Sequence, residues 1–467
     1  MPVFERDSRY PFPREEVFAW HARPGAFTRL TPPGMITEMT PLTNGIQVGS
    51  TADVVVSHPL LAGLLPHVPR RGGSGPVGVR WRLAHTELEP GRRFVDEQVR
   101  GPFASWRHEH LFADGPAGST IITDRITYQL PATLPGRLPQ ALVEMQLDGL
   151  FAFRERQLRD DLDLHSRLAG PPRRVLIAGS SGTIGTQLAA LLTSGGHHVM
   201  RLVRGGVATD AVRWDPARGR LDPDAIAGAD VAINLAGAPL AGRFTRSHQR
   251  RVLTSRVDAT TTLARAVAAA RIPALVQASA IGLYGPRRPG ELLTEESAAG
   301  EGLLADVVTA WEGAAAPAVA AGTRTAWMRT GIVLTESGGS LAAQIPLFSV
   351  GVGGRMAPAD AWLSWISLDD AVRGFAHVAL TEAEGPFNLV APRPVTQRVF
   401  AETLGRVLHR PAAVPTPPLA PRLVLGRAGY DQMIDTDQRV SSARLADSGL
   451  WFAQGTLSDA LRHALMR

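Results

Sequence analysis

Twelve residues constrain this chain more than any others: Arg174-Val-Leu-Ile-Ala-Gly-Ser-Ser-Gly-Thr-Ile-Gly185. The apolar run Val175 to Ala178 reads as a buried parallel strand. Gly179, Gly182 and Gly185 follow at three-residue spacing, and Thr186 to Thr193 reads as a helix ended by Gly195 and Gly196. A glycine triplet gains weight as a phosphate loop when it lies between a strand and a helix. The glycines let the backbone turn tightly and approach a pyrophosphate, and the N–H groups of the new helix face its charge. Ser180, Ser181 and Thr183 add hydroxyl donors. Gly179, Ser180, Ser181, Gly182, Thr183, Ile184 and Gly185 are therefore read as a nucleotide-binding loop. The alternative is a glycine-rich structural turn. The spacing is G-x-x-G-x-x-G, not the G-x-G-x-x-G of dehydrogenases in general.

The next strand, His198 to Arg204, bears on which nucleotide fits. A site for NAD usually has an acid at the end of this strand, accepting from the ribose 2′-hydroxyl. Here the strand ends Arg204-Gly-Gly206. A guanidinium suits a 2′-phosphate. NADP(H) is the expected cofactor, with NAD(H) less favoured; otherwise Arg204 merely ends the strand. Asp230 to Gly237 is read as a further strand closing on Asn234-Leu-Ala-Gly237. Arg251 to Ala270 is read as a helix and Ala274 to Ala278 as a strand, followed by Ser279-Ala-Ile-Gly-Leu-Tyr-Gly285.

At 467 residues the chain is expected to form two or three domains. It has no cysteine, which excludes disulfides, thiolate nucleophiles and cysteine-ligated metals. It also has no lysine, which removes every mechanism that needs one. The net charge of +6 is scattered, so no nucleic-acid partner is expected. No run reads as long enough to span a bilayer, and the first residues lack a signal pattern, so a cytoplasmic location is expected.

Residues 1 to 168 have a different character. Val3 to Tyr10 reads as a strand and Pro13 to Trp20 as a helix start. Gly45 to Val56, Val79 to Glu87, Arg93 to Val99, Ser105 to Phe112 and Thr120 to Leu130 read as strands, several of them half-buried. A long amphipathic helix follows from Leu138 to Leu168, with Leu138, Leu142 and Met145 opening its apolar stripe. The stretches Trp20 to Pro33 and Asp96 to Phe112 carry a resemblance to the START-like, or polyketide-cyclase-like, superfamily. That resemblance implies a curved antiparallel sheet around the last helix and a small apolar ligand. His108 and His110 share one strand face. A metal reading needs a third ligand that the sequence does not place, so no metal is assigned. Trp81, Trp106 and Phe112 are either cavity lining or plain core. Ala169-Gly-Pro-Pro172 reads as a linker.

From residue 173 onward the chain resembles an extended short-chain dehydrogenase/reductase, and more narrowly its "epimerase family" branch. The resemblance rests on Gly179 to Gly185, Asn234 to Gly237, Ser255 to Thr260, Ser279 to Gly285 and Met328 to Leu334. Further support comes from Trp365 to Asp370, Asn388 to Pro392 and Gly449 to Phe452. It implies an α/β Rossmann-type doubly wound parallel sheet over 173–395, with a small helical cap over 396–467. It also assigns Leu235, Ala236, Gly237 and Arg329 to the cofactor. In the extended group a Tyr-x-x-x-Lys pair moves the proton. Alignment on Glu312 puts Leu304 and Val308 at those two places, and neither can transfer one. Ser279 and Tyr284 remain as the candidate catalytic pair, the alternative for Tyr284 being to shape the nicotinamide pocket. The glycine-rich stretch Gly351 to Pro358 is read as a lid or substrate cover, and Asp369 and Asp370 as caps for a helix from Ala371, with a role as acids the alternative. The expected function is an NADP(H)-dependent oxidoreductase or epimerase-like enzyme on a small-molecule substrate. The alternatives are a catalytically silent NADP(H)-binding sensor or scaffold and a lipid carrier. The oligomeric state is left open.

Overall fold

The computed structural model describes residues 1–40, 44–56, 78–132, 137–205, 210–412, 414–417 and 419–467. The chain forms two compact units. One comprises Met1–Arg167, Thr193–Gly196 and Met466–Arg467, the other Leu168–Leu192 and His197–Leu465.

The first unit is built on a seven-stranded antiparallel sheet. Its strands run Val3–Tyr10, Thr120–Gln129, Ser105–Asp114, Arg93–Arg100, Val79–Glu89, Thr51–Val56 and Ile36–Thr40 across the sheet. Alternation along Thr120–Gln129 buries Thr120, Ile122, Asp124, Ile126 and Tyr128 on one face. The closing helix, Arg137–Arg167, buries Val143, Leu147, Phe151, Leu158 and Leu162. The expected stripe is thus one position out of phase: Leu138 and Met145 are exposed. Apolar residues lie on several faces of this helix, and tertiary packing selects one of them. The strand expected from Gly45 begins instead at Thr51, because Gly45 and Gly49 adopt positive φ in a turn. The strand Ile36–Thr40 was not anticipated.

The second unit carries a parallel sheet of seven strands. Their order is Ala211–Arg213, His198–Val203, Arg174–Ala178, Val231–Asn234, Ala274–Ala280, Arg324–Thr330, Gly385–Leu389. The chain reverses its direction of travel across the sheet between Arg174–Ala178 and Val231–Asn234. The carboxyl ends of these two strands therefore flank the crevice where ligands bind in such sheets. Helix Arg246–Ala269 covers one face and helix Leu368–Leu380 is buried almost throughout.

Residues 396–467 supply helices Gln397–Leu408, Leu419–Met433, Ala443–Asp447 and Leu457–Ala464. Phe400, Leu404, Leu457 and Leu461 share a core with Leu341, Phe348 and Trp365. Leu303–Ala320 is apolar and long enough to cross a membrane by composition, contrary to the sequence expectation. In the fold it is two helices, Leu303–Gly313 and Ala316–Ala320, which bury Ala305, Val307, Val308, Trp311 and Ala318.

Candidate functional site

The glycine loop lies at the carboxyl end of the first parallel strand. Val175, Leu176, Ile177 and Ala178 are fully buried between neighbouring strands. Gly179 leaves the sheet with φ +82°, and a Cβ there would lie 2.7 Å from the backbone of Leu235. A Cβ on Gly185 would meet the Gly179 carbonyl oxygen at 2.2 Å. Both positions are therefore closed to a side chain by backbone. Gly182 has room: the nearest atom to its Cβ would be the Gly179 oxygen at 3.4 Å. The helix, Thr183–Ser194, starts inside the triplet rather than after it. Thr186 N–H donates to the Gly182 carbonyl at 2.8 Å, while its hydroxyl donates to Ser180 O at 3.2 Å. Ser181, Gly182 and Thr183 are exposed at the start of this helix, where free N–H groups favour an anion.

The facing wall comes from the next strand in the sheet. Leu235 N–H donates to the Ala178 carbonyl at 2.8 Å. Asn234, fully buried, turns its amide onto Thr260 Oγ1 at 3.0 Å and Gln277 Oε1 at 2.9 Å, and its Oδ1 accepts from Ala236 N–H. That lock fixes the path of Leu235, Ala236 and Gly237 beside the loop. Ala238 N–H donates to Ser255 Oγ at 2.9 Å, and Arg256 donates to the Ala238 carbonyl. Arg204 is exposed just beyond strand His198–Val203; Gly206 lies outside the described residues.

The other end of the crevice is organised by a carboxylate that the sequence reading used only for alignment. Glu312 receives two hydrogen bonds from Arg329, Nε to Oε1 at 2.9 Å and an amino nitrogen to Oε2 at 3.1 Å. Ser279 Oγ donates to the same Oε1 at 2.5 Å. Arg329 also donates to the Glu295 carbonyl at 2.9 Å and to the Tyr284 hydroxyl at 3.2 Å. Tyr284 in turn donates to Asn388 Oδ1 at 2.7 Å. One network thus joins Ser279, Glu312, Arg329, Tyr284 and Asn388 from five different elements. Ser279 is 3% exposed and Tyr284 is fully buried. Burial pushes the Tyr284 pKa above the usual phenol value, against the opposing influence of Arg329. Its proton is committed to Asn388, which suits it to positioning more than to proton transfer. Arg329, assigned to the cofactor from the sequence, has its guanidinium occupied by Glu312, Tyr284 and Glu295. Glu312 was within reach of sequence reasoning: Trp311-Glu312 sits on the helix that usually carries the Tyr-x-x-x-Lys pair.

Leu304 and Val308 pack against the turn that holds Tyr284. A Cβ added to Gly282 would meet Leu304 Cβ at 3.3 Å and Val308 Cγ2 at 3.8 Å. The surface where a proton-moving pair would stand is hydrocarbon. The helix expected from Ala371 starts at Leu368, capped by Ser367, whose Oγ accepts from Asp370 N–H. Asp370 accepts from the backbone of Ala453 and Gln454, and Asp369 pairs with His463. These aspartates brace the C-terminal segment.

The family model for NAD dependent epimerase/dehydratase matches residues 175–302, and a domain of unknown function, DUF8410, matches residues 29–162. An epimerase family protein of Mycobacterium bovis is 38% identical over 296 residues, which are 63% of this chain and 98% of the relative. The crystal structure of a nucleoside-diphosphate sugar epimerase from Corynebacterium glutamicum is 33% identical. It covers 99% of this chain and 90% of its own, with a TM-score of 0.78. Human epimerase family protein SDR39U1, solved with NADPH, is 30% identical. It covers 62% of this chain and 98% of its own, with a TM-score of 0.57.

Proposed function

The chain belongs to the epimerase family, and from that premise we propose that it is an NADP(H)-dependent oxidoreductase or epimerase-like enzyme acting on a small-molecule substrate. The observation that carries this reading is the glycine cradle. Two of its positions are closed to any side chain by backbone, and an exposed helix N-terminus opens between them. The backbone from Ser180 to Ile184 would hold the pyrophosphate, and Leu235 to Gly237 would flank it. Arg204 would pair with the 2′-phosphate. The NADPH carried by the human relative supports that preference. The cofactor, when bound, supplies hydride. The substrate-side proton would come through Ser279, whose hydroxyl is backed by Glu312, with Arg329 holding that carboxylate in place and Tyr284 accepting from Arg329 in turn.

A second reading has its own observation. Leu304 and Val308 form an apolar patch at the usual catalytic pair, and the Tyr284 hydroxyl is already engaged. On this reading the chain is a sensor or scaffold that keeps the nucleotide and has lost turnover. In either case we propose that the antiparallel unit is START-like and takes an apolar ligand, and that the protein works in the cytoplasm without a nucleic-acid partner.

The deciding experiment is a fluorescence titration of NADPH and NADH into the full chain and its Arg204→Ala variant, followed by turnover assays with carbonyl substrates. The enzyme reading expects NADPH to bind more tightly than NADH. Arg204→Ala should lose about 10-fold or more for NADPH alone, as expected for a charged hydrogen bond. Turnover should fall in Ser279→Ala. Tight NADPH binding without turnover across the panel would favour the sensor, and binding of neither nucleotide would sink both readings.

A further inference from the structure

The inner face of the antiparallel sheet carries polar side chains that the nucleotide site does not use. The ladder sets His85 opposite Asp96, Asp96 opposite His108, and His110 opposite Asp124. Directly opposed residues share a sheet face, and His108 and His110 stand two apart on one strand, so pairing and alternation together gather these five on one side. His108 and His110 are 4% and 9% exposed, and Asp124 is 8% exposed. Phe94 stacks on His110 with ring centroids 4.1 Å apart, and Phe151 stands edge-on to His108 at 5.7 Å. Burying two imidazoles and two carboxylates among aromatic rings is costly, and apolar residues of similar volume would often be at least as stable.

The geometry divides the four groups into two sets. Asp96 Oδ2 lies 3.4 Å from His108 Nδ1 and 3.3 Å from His110 Nε2. Asp124 Oδ1 lies at the opposite nitrogen of each ring, 3.0 Å from His108 Nε2 and 2.8 Å from His110 Nδ1. On the Asp96 side, Asp96, His108 and His110 can each present one ligand atom, all within 4.8 Å of one another. A tetrahedral ion bound at about 2.0–2.1 Å separates its ligand atoms by roughly 3.3 Å. The observed Asp96 to histidine distances already have that length. Asp124 then occupies the place of the outer carboxylate that receives the second N–H of a metal-bound histidine. His85 Nδ1 is buried without a hydrogen-bond partner on the same row, beside Asp96.

We propose that Asp96, His108 and His110 bind a divalent transition-metal ion, with Asp124 orienting both imidazoles. Two nitrogens and one carboxylate oxygen suit zinc and the other later first-row ions, and leave positions open for a further ligand. Asp96 is the third ligand that the sequence could not place beside His108 and His110. It lies on the neighbouring strand, and the register brings it there.

The test uses the full chain without an affinity tag, stripped with a chelator and dialysed, then titrated with Co2+ and afterwards with Zn2+. The expected result is one equivalent of Co2+ per chain, visible as d–d absorption and displaced by Zn2+. Asp96→Asn and His110→Gln should abolish it. Asp124→Asn should retain stoichiometric binding but weaken it by about 10- to 100-fold, the usual cost of losing an outer carboxylate. Exchange of the exposed His198 for Gln should leave it unchanged. If unmodified chain takes up neither ion at one equivalent, the proposal fails, whether or not any variant folds. It fails equally if uptake persists in correctly folded Asp96→Asn and His110→Gln, because the four groups would then be a closed ion cluster only.

Discussion

Each unit buries an arginine against a carboxylate, and the two pairs differ in what surrounds them. In the antiparallel unit, Arg29 grips Asp161 with two hydrogen bonds of 2.8 and 2.7 Å, and the side chains are 1% and 0% exposed. Gln157 donates to the same carboxylate. The pair ties the short helix Ala26–Arg29 to the closing helix. In the nucleotide unit, Arg329 grips Glu312 in the same two-pronged way, but the side chains keep 10% and 17% exposure. That pair stands at the carboxyl edge of the parallel sheet and also holds Ser279 and Tyr284. The same chemistry is a brace where it is sealed and a component of the site where it reaches the crevice.

Removing one partner from the sealed pair has the largest expected effect. Asp161→Ala should cost about 3–5 kcal/mol, because it leaves a buried guanidinium uncompensated. Glu312→Gln keeps an acceptor and borders solvent, so about 1–2 kcal/mol is expected. Hydrogen exchange in strand Thr120–Gln129 for the first and strand Ala274–Ala280 for the second would measure each locally. Equal costs would break the distinction drawn between brace and site.

The glycine triplet offers the next contrast, within one loop. Gly179→Ala forces both a positive φ and a contact with the Leu235 backbone, for an expected cost of about 2–3 kcal/mol and loss of NADPH binding. Gly182→Ala meets no such backbone and should cost under about 1 kcal/mol. NADPH titration and thermal unfolding of both variants check this. A Gly182→Ala protein as damaged as Gly179→Ala would mean that the phosphate itself needs the space.

What the sequence showed depended on the range over which each signal acts. The strand, glycine turn and following helix are local, and their placement in the fold followed from a dozen consecutive residues. The central strands Arg174–Ala178, Val231–Asn234 and Ala274–Ala280 were legible as largely apolar runs buried on both faces, whereas Ala211–Arg213, Arg324–Thr330 and Gly385–Leu389 carry charges or turn residues and followed only from the family resemblance. Antiparallel strands were legible by alternation, but edges such as Ile36–Thr40 are short and carry little of it. The phase of the closing helix was misread because Leu138, Leu142, Val143, Met145 and Leu147 leave several apolar faces to choose from. The sites were harder. Glu312 and Ser279 are 33 residues apart, yet they share a hydrogen bond. Asp96 becomes a neighbour of His108 only once the hairpin register is set. Such constellations belong to the topology, and a motif read along the chain does not contain them.

The smallest effect expected separates the units by pH. His21 is buried against aromatic rings, and burial lowers its pKa to about 4. In the unfolded chain it titrates near 6.5. Above that value neither state holds the proton, and the contribution to stability is complete. As pH falls from 6.5 toward 4 the unfolded state binds the proton first, and stability is lost. Glu336 behaves in the opposite sense: burial raises it to about 8, and one of its oxygens has no partner. Its contribution is complete below the unfolded value of about 4.5 and is lost as pH rises through 8. From pH 7 to 5.5 a His21→Leu variant should therefore lose about 1 kcal/mol less than the parent in the antiparallel unit. From pH 6 to 7.5 a Glu336→Gln variant should lose about 1 kcal/mol less in the nucleotide unit, a figure reduced for the partial hydration of that side chain. Urea unfolding followed through NMR signals of one unit at a time would read both. Taking variant against parent cancels the other titrating groups of each unit, including His108, which burial would lower but which its two aspartates raise. If both variants track the parent at every pH, neither burial controls its unit's response. If His21→Leu flattens the acid limb while Glu336→Gln flattens the alkaline one, the two units carry their pH sensitivity separately and in opposite directions.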